Sequence, residues 1–154
     1  MKLSVQNTRI GPVGIAEHEG CITSLFFAKD NLPAGAERLE TEGLHEAFRQ
    51  LDRYLAGSLK AFSLPLAPIG TPFMLAVWRI LSEIPYGITA SYRDVAVALG
   101  NPLAARAVGM ANHRNPLPLF IPCHRVIGSD GNLAGYRGGK ALKKFLLELE
   151  RGDG

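Results

Sequence analysis

The chain has 154 residues, 47% of them apolar, and a net charge of +3, enough material for one good core or for two small domains sharing an interface. No apolar run is long enough to cross a bilayer, and Met1-Lys2-Leu3-Ser4-Val5 lacks the apolar stretch of a secretory signal, so a cytoplasmic protein with no membrane partner is expected. Two cysteines, Cys21 and Cys123, make no disulfide framework in a reducing cytosol, and with no Cys-x-x-Cys or His-x-x-x-His spacing no metal is expected.

Lys2 to Val5, Gly14 to Ala16 and Cys21 to Phe27 read as short strands of a small antiparallel sheet, punctuated by Gly11-Pro12 and Glu19-Gly20. From about Glu40 to Ala56, Leu44, Phe48, Leu51 and Leu55 form one helical stripe that should lie on that sheet, and Gly57 ends it. The proline-rich stretch Leu64 to Gly70 is a plausible linker, dividing the chain into domains 1–69 and 70–154.

Thr71-Pro72 then gives an N-cap and a first-turn proline to a helix carrying Phe73, Val77, Ile80, Leu81 and Ile84, which Pro85 stops. Ser91 can cap a short helix with Asp94 as the third member of a weak capping box, and Gly100 closes it. A second short helix from Pro102 to about Ala111 follows at once, the spacing of a helix-turn-helix. Helical hairpins also occur in proteins that never meet DNA, so spacing alone leaves both readings open. Asn115 to Pro122 holds three prolines and is expected to be an extended strap leading to Cys123. Ala141 to Arg151 places Leu142, Phe145, Leu146 and Leu149 on one helical face.

Charge is unevenly spread, net −1 over residues 1–69 and net +4 over residues 70–154. Between Arg93 and Lys144 eight basic residues stand against Asp94 and Asp130, which suits a polyanionic partner and equally fits an ordinary solvated face. Cys123 is followed directly by His124 and Arg125. A cysteine attacks as its thiolate and needs neighbours that stabilise it. Adjacent side chains of an extended strap point apart, so His124 would act on the sulfur through a bridging water. A buried, inert thiol fits the same residues.

Pro122-Cys123-His124-Arg125-Val126, with Asn115-Pro116 before it and Gly135-Tyr136 and Gly138-Gly139 after it, resembles the O6-alkylguanine-DNA alkyltransferase family. The resemblance extends through Ala105-Arg106-Ala107-Val108-Gly109, Ser91-Tyr92 and Thr71-Pro72-Phe73, covering residues 70–151, and is loose over the first 69. It implies an α+β fold: an N-terminal ribonuclease H-like sheet with a helix, and a mostly helical C-terminal domain with a winged helix-turn-helix-like motif. It also implies repair by direct damage reversal, in which the alkyl group of O6-alkylguanine, and of O4-alkylthymine, passes irreversibly and once only to the protein's own cysteine.

Carried over position by position, the resemblance makes Cys123 the alkyl acceptor, His124 the group that takes the thiol proton through a water, and Glu150 the carboxylate that orients the histidine. Asn115 braces the active-site turn, and Tyr136 lines the base pocket and aids protonation of the leaving guanine. Because an alkylated oxygen in a paired duplex is out of reach, the nucleotide must rotate out of the stack. Arg106 is matched to the residue that fills the vacated space and Tyr92 to the one that crowds the 3′ phosphate. Ala104, Ala105 and Gly109 let the recognition helix approach the minor groove closely, where sequence readout is degenerate. Ser91, Arg114 and Ser129 are candidate backbone contacts. Non-catalytic relatives carry tryptophan at the acceptor position, where this chain has Cys123. Cys21, His18 and His45 are too few for the zinc site that some relatives hold, so no metal and no cofactor are implied. The expected partner is double-stranded DNA with alkylated bases, met by a monomer.

Overall fold

Short apolar runs within the first 27 residues build a sheet in which Val13 to Glu17 are buried without interruption, so both faces of that stretch are covered. The computed structural model describes residues 1–133 and 135–152. It divides the chain into two compact units, Met1–Ile69 and Gly70–Gly154.

In the first unit β1 (Lys2–Thr8), β2 (Gly11–His18) and β3 (Cys21–Phe27) form an antiparallel meander, with Leu3 opposite Ala16 and Ile15 opposite Leu25. The first two strands run longer than the apolar pattern alone suggests, because the hairpin at Arg9-Ile10 lets pairing start at Thr8 and Gly11; Pro12 is tolerated so near the strand's beginning. β4 (Glu37–Arg38) adds in parallel to β1, giving the order β3-β2-β1-β4. Two charged residues carried no strand signal, and their pairing comes from the neighbouring edge. Thr41 caps α1 (Glu42–Leu55) by accepting from the Leu44 amide at 3.1 Å. Leu44, Ala47, Phe48, Leu51 and Leu55 are buried and pack on the sheet, where the register puts Val13, Ile15 and Leu25 on one face and Leu3 with Gly14 and Ala16 on the other. The expected linker is partly structured: Ile22 donates to Pro65 and Ala67 donates to Ile22, so residues 65–67 run along β3.

In the second unit Thr71 caps α2 (Pro72–Ser82), and the indole of its buried Trp78 donates to the Ala111 carbonyl at 2.8 Å. β5 (Ala90–Ser91) pairs in parallel with β6 (Val126–Ile127), a two-residue ladder without a legible sequence signal. Ser91 and Asp94 complete a capping box on α3 (Tyr92–Ala98). Gly100, at φ +80°, lets Asn101 donate to Ala96 and Gly100 to Val97, a Schellman closure that turns the chain into α4 (Ala105–His113). The second helix starts three residues later than the Asn101-Pro102 signal suggested, because residues 101–104 form a turn closed by the Ala104 amide on Asn101. Val77, Leu81, Val95, Val108, Ala111 and Leu146 of α5 (Lys140–Arg151) supply the core. The architecture is α+β, as expected, with a small sheet and one helix followed by a mostly helical unit carrying a helix-turn-helix.

Candidate active site

The segment before Cys123 is not an extended strap. The Ile121 amide donates to the Leu117 carbonyl at 2.8 Å, and Leu119 takes φ +77°, a region leucine seldom enters. Prolines 116, 118 and 122 fix their own φ without forbidding a reversal at 119, and burial of Leu117 and Leu119 holds it there. Asn115 clamps both sides of the turn: its amide nitrogen donates to the Ile121 carbonyl and its oxygen accepts from the Leu117 amide, each at 2.9 Å. Beyond it, Cys123–Arg125 is one turn of 3-10 helix in which the Arg125 amide donates to Pro122. Alternation of side chains therefore does not apply at Cys123 and His124.

α5 brings the carboxylate. Its buried stripe is Lys143, Leu146, Leu147 and Glu150, rotated from the expected Leu142, Phe145, Leu146 and Leu149; Phe145 is 41% exposed. Two ionisable residues at spacing seven lie on the inner face because the site supplies their partners. Nε2 of His124 is 2.8 Å from Oε2 of Glu150, with both side chains sealed from solvent. Arg125 donates from Nε at 2.8 Å and from Nη2 at 3.0 Å to the same carboxylate, and from Nη1 to the Ile84 carbonyl at 2.6 Å. The Gly87 amide adds a further donor at 3.1 Å. Gly87 itself has φ +81°, and a Cβ there would press on the Glu150 carbonyl at 3.3 Å, so this approach suits glycine. A carboxylate held by four donors stays ionised and fixes the histidine tautomer with Nε2 protonated, leaving Nδ1 as the basic nitrogen.

Burial pushes the Cys123 thiol up from its ordinary value, against the opposing pull of Asn115, Arg137 and Lys143. Burial likewise pushes His124 down, with Glu150 opposing. Lys143 is fully buried, donates from Nζ to the Val126 carbonyl at 2.6 Å, and lies 6.0 Å from the centre of the Tyr92 ring. Desolvation lowers its ammonium and the Cys123 sulfur raises it. Tyr92 is raised by desolvation and by the same sulfur, so thiol, ammonium and phenol form one electrostatic cluster. Burial thus favours the neutral form of both the thiol and the imidazole.

Tyr92, Ala105, Arg106, Gly109, Met110, His113, Arg114 and Gly135 line an open groove of about 660 Å³. Gly109 lies under the Tyr92 ring, where even a Cβ would be in contact at 3.8 Å. Ala104 is the N-cap of α4, without a side-chain cap bond. Tyr136 is buried in the loop that follows Gly135, and His113 Nδ1 sits 2.9 Å from the Gly135 carbonyl. Ser91 spends its hydroxyl on the helix cap, and Ser129 is exposed in the loop after Gly128, away from the groove lining. Lys143, Arg125, His113 and the buried Asn112, whose amide donates to the Cys123 carbonyl at 3.3 Å, were not picked out as site residues by sequence reasoning. The i, i+3, i+4, i+7 spacing of Lys143, Leu146, Leu147 and Glu150 was the available signal for the first. Among the described residues no His/Cys/Asp/Glu cluster could hold a metal ion.

Comparison with known proteins finds two family matches: "6-O-methylguanine DNA methyltransferase, DNA binding domain" over residues 72–152 and "6-O-methylguanine DNA methyltransferase, ribonuclease-like domain" over residues 1–68. The constitutive methylated-DNA–protein-cysteine methyltransferase of Bacillus subtilis is 50% identical over 151 residues, covering 94% of this chain and 92% of that protein. The methylated-DNA–protein-cysteine methyltransferase of Methanosarcina barkeri is 46% identical, with 99% of each chain covered. Among solved structures, Mycobacterium tuberculosis OGT in complex with DNA superposes with a TM-score of 0.93 at 40% identity, covering 99% of this chain and 94% of that one.

Proposed function

The chain belongs to the 6-O-methylguanine DNA methyltransferase family, and we propose that it repairs DNA by moving the alkyl group of O6-alkylguanine onto the sulfur of its own Cys123. The observation that carries the assignment of the acceptor is the buried 3-10 turn that holds Cys123 next in sequence to His124, whose Nε2 is 2.8 Å from the Glu150 carboxylate. O4-alkylthymine offers a similar alkylated oxygen and is a second expected substrate.

The base must leave the stack to reach a buried sulfur. In this reading Arg106, exposed on α4, occupies the space it vacates, and Tyr92 beside the sulfur crowds the backbone and promotes rotation. Ala104, Ala105 and Gly109 let α4 approach the duplex, Arg114 and the other cations of this unit hold phosphates, and Ser91 and Ser129 add contacts at the edge. The thiol proton passes through a water to Nδ1 of His124, and Glu150 stabilises the imidazolium formed. Sulfur then attacks the alkyl carbon in line: the S–C bond forms as the C–O6 bond breaks, and Tyr136 helps return a proton to the departing guanine. The products are a thioether and an intact guanine.

No residue of the site offers a way to cleave a thioether, so each molecule acts once. The protein works as a cytoplasmic monomer, the second unit doing the chemistry, and needs no cofactor. Incubating it with excess duplex containing O6-methylguanine tests this reading: repaired guanine should plateau at one per protein, and continued turnover would contradict it.

A further inference from the structure

Leu103 is 95% exposed, more than Ile69 at 83%, and Met110 is 55% exposed. They stand three residues before and four after Arg106, which is exposed as well. The turn at 101–104 leads directly into α4, the Val108 amide donating to Ala104, so Arg106 and Met110 lie one helical turn apart on α4 and Leu103 stands in the turn just before its N-cap. The opposite stripe, Val108, Ala111 and Asn112, is buried against the unit's core. Met110 and Arg106 line the same groove as Tyr92, whose phenol feels the charge of the Cys123 sulfur.

Resting on the reading of this unit as a duplex-DNA binder, we propose that Leu103 and Met110 flank Arg106 as apolar contacts to the sugar and base surfaces inside a groove of the duplex. Phosphates are held by cations and hydrogen-bond donors, and neither side chain offers one. The apolar surfaces of DNA are its sugars and its bases, reached only from within a groove, and apolar wedges there help open base steps. Small residues at 104, 105 and 107 leave nothing beside Leu103 and Arg106 to hold the helix off. Leu103 therefore supplies affinity that salt does not screen, next to an arginine whose contribution salt does.

The test is binding of undamaged duplex by Leu103→Ala, Leu103→Gln and Leu103→Met over a range of salt, with methyl transfer at saturating O6-methylguanine duplex measured separately. Leu103→Ala and Leu103→Gln should each weaken binding by about tenfold at every salt concentration with the salt slope unchanged, while Leu103→Met retains wild-type affinity. An exposed side chain leaves thermal stability unaltered in all three. Affinities of the alanine and glutamine variants within twofold of wild type would overturn the inference, even if the wild type transfers methyl normally. Wild type that binds duplex through Leu103 yet never methylates Cys123 would support it while overturning the catalytic reading.

Discussion

The carboxylate of Glu150 lies 2.8 Å from Nε2 of His124, and the same two oxygens take both Nε and Nη2 of Arg125. One buried anion therefore serves both the histidine proposed to take the thiol proton and the guanidinium of its neighbour. Burial lowers the tendency of His124 to protonate, Glu150 opposes it, and the Arg125 charge adds to the lowering.

Replacing Glu150 by glutamine keeps the shape and removes the charge. His124 loses its tautomer lock and Arg125 is left as a buried cation without a counter-ion. Breaking such a pair costs about 3–5 kcal/mol, and loss of an oriented base slows transfer by about 10²- to 10⁴-fold. Urea unfolding and single-turnover methyl transfer measure the two losses.

Stability should be flat around neutral pH and fall on both sides. His124 is depressed below its ordinary value of 6.5, so the unfolded chain binds the extra proton first: its contribution is present above 6.5 and lost as pH falls toward the folded value. Cys123 is raised above 9.0, so its contribution is present below 9.0 and lost as pH climbs through the folded value. Thermal midpoints against pH check this, and Cys123→Ala should lessen the alkaline fall while leaving the acid one in place.

Lys143→Met removes the buried ammonium that draws the Cys123 thiol downward. Transfer at neutral pH should drop by about tenfold, with the rate recovering as pH rises. Stability should change by less than about 2 kcal/mol, since the lost bond to Val126 is offset by relief of a buried charge. A rate that stays low at alkaline pH would show that Lys143 only supports the fold.

Asn115→Ala leaves the Leu117 amide without its partner inside a buried turn and the Ile121 carbonyl with the Cys123 amide alone. The expected cost is about 1–3 kcal/mol, together with slower alkylation of Cys123 because the turn that presents it loosens. Denaturant midpoints and reaction with iodoacetamide, read in parallel, separate the two effects.

Much of this was legible in the sequence. Thr71-Pro72, Ser91 with Asp94, and Gly100 mark helix ends through local chemistry, and each acts as those signals require. The α1 stripe was readable because Leu44, Phe48, Leu51 and Leu55 recur at helical spacing, although Gln50 is buried beside them on Glu46 and Ser63. The α5 face was misread because Lys143 and Glu150 count as surface residues until their buried partners are known. The turn before Cys123 was also misread, since three prolines suggested extension while Leu119 accepted a left-handed conformation under the pressure of burial. β4, β5 and β6 are two residues each and exist only through their neighbours. The proximity of Cys123, Lys143 and Tyr92 is a tertiary fact that no spacing encodes.

The most direct test is mass spectrometry of the peptide containing Cys123 after incubation with duplex bearing O6-methylguanine. The account predicts the mass of one methyl group on Cys123, stoichiometric with repaired guanine and absent from Cys123→Ser. An unmodified Cys123 alongside repaired DNA, or methyl found on Cys21, would contradict it.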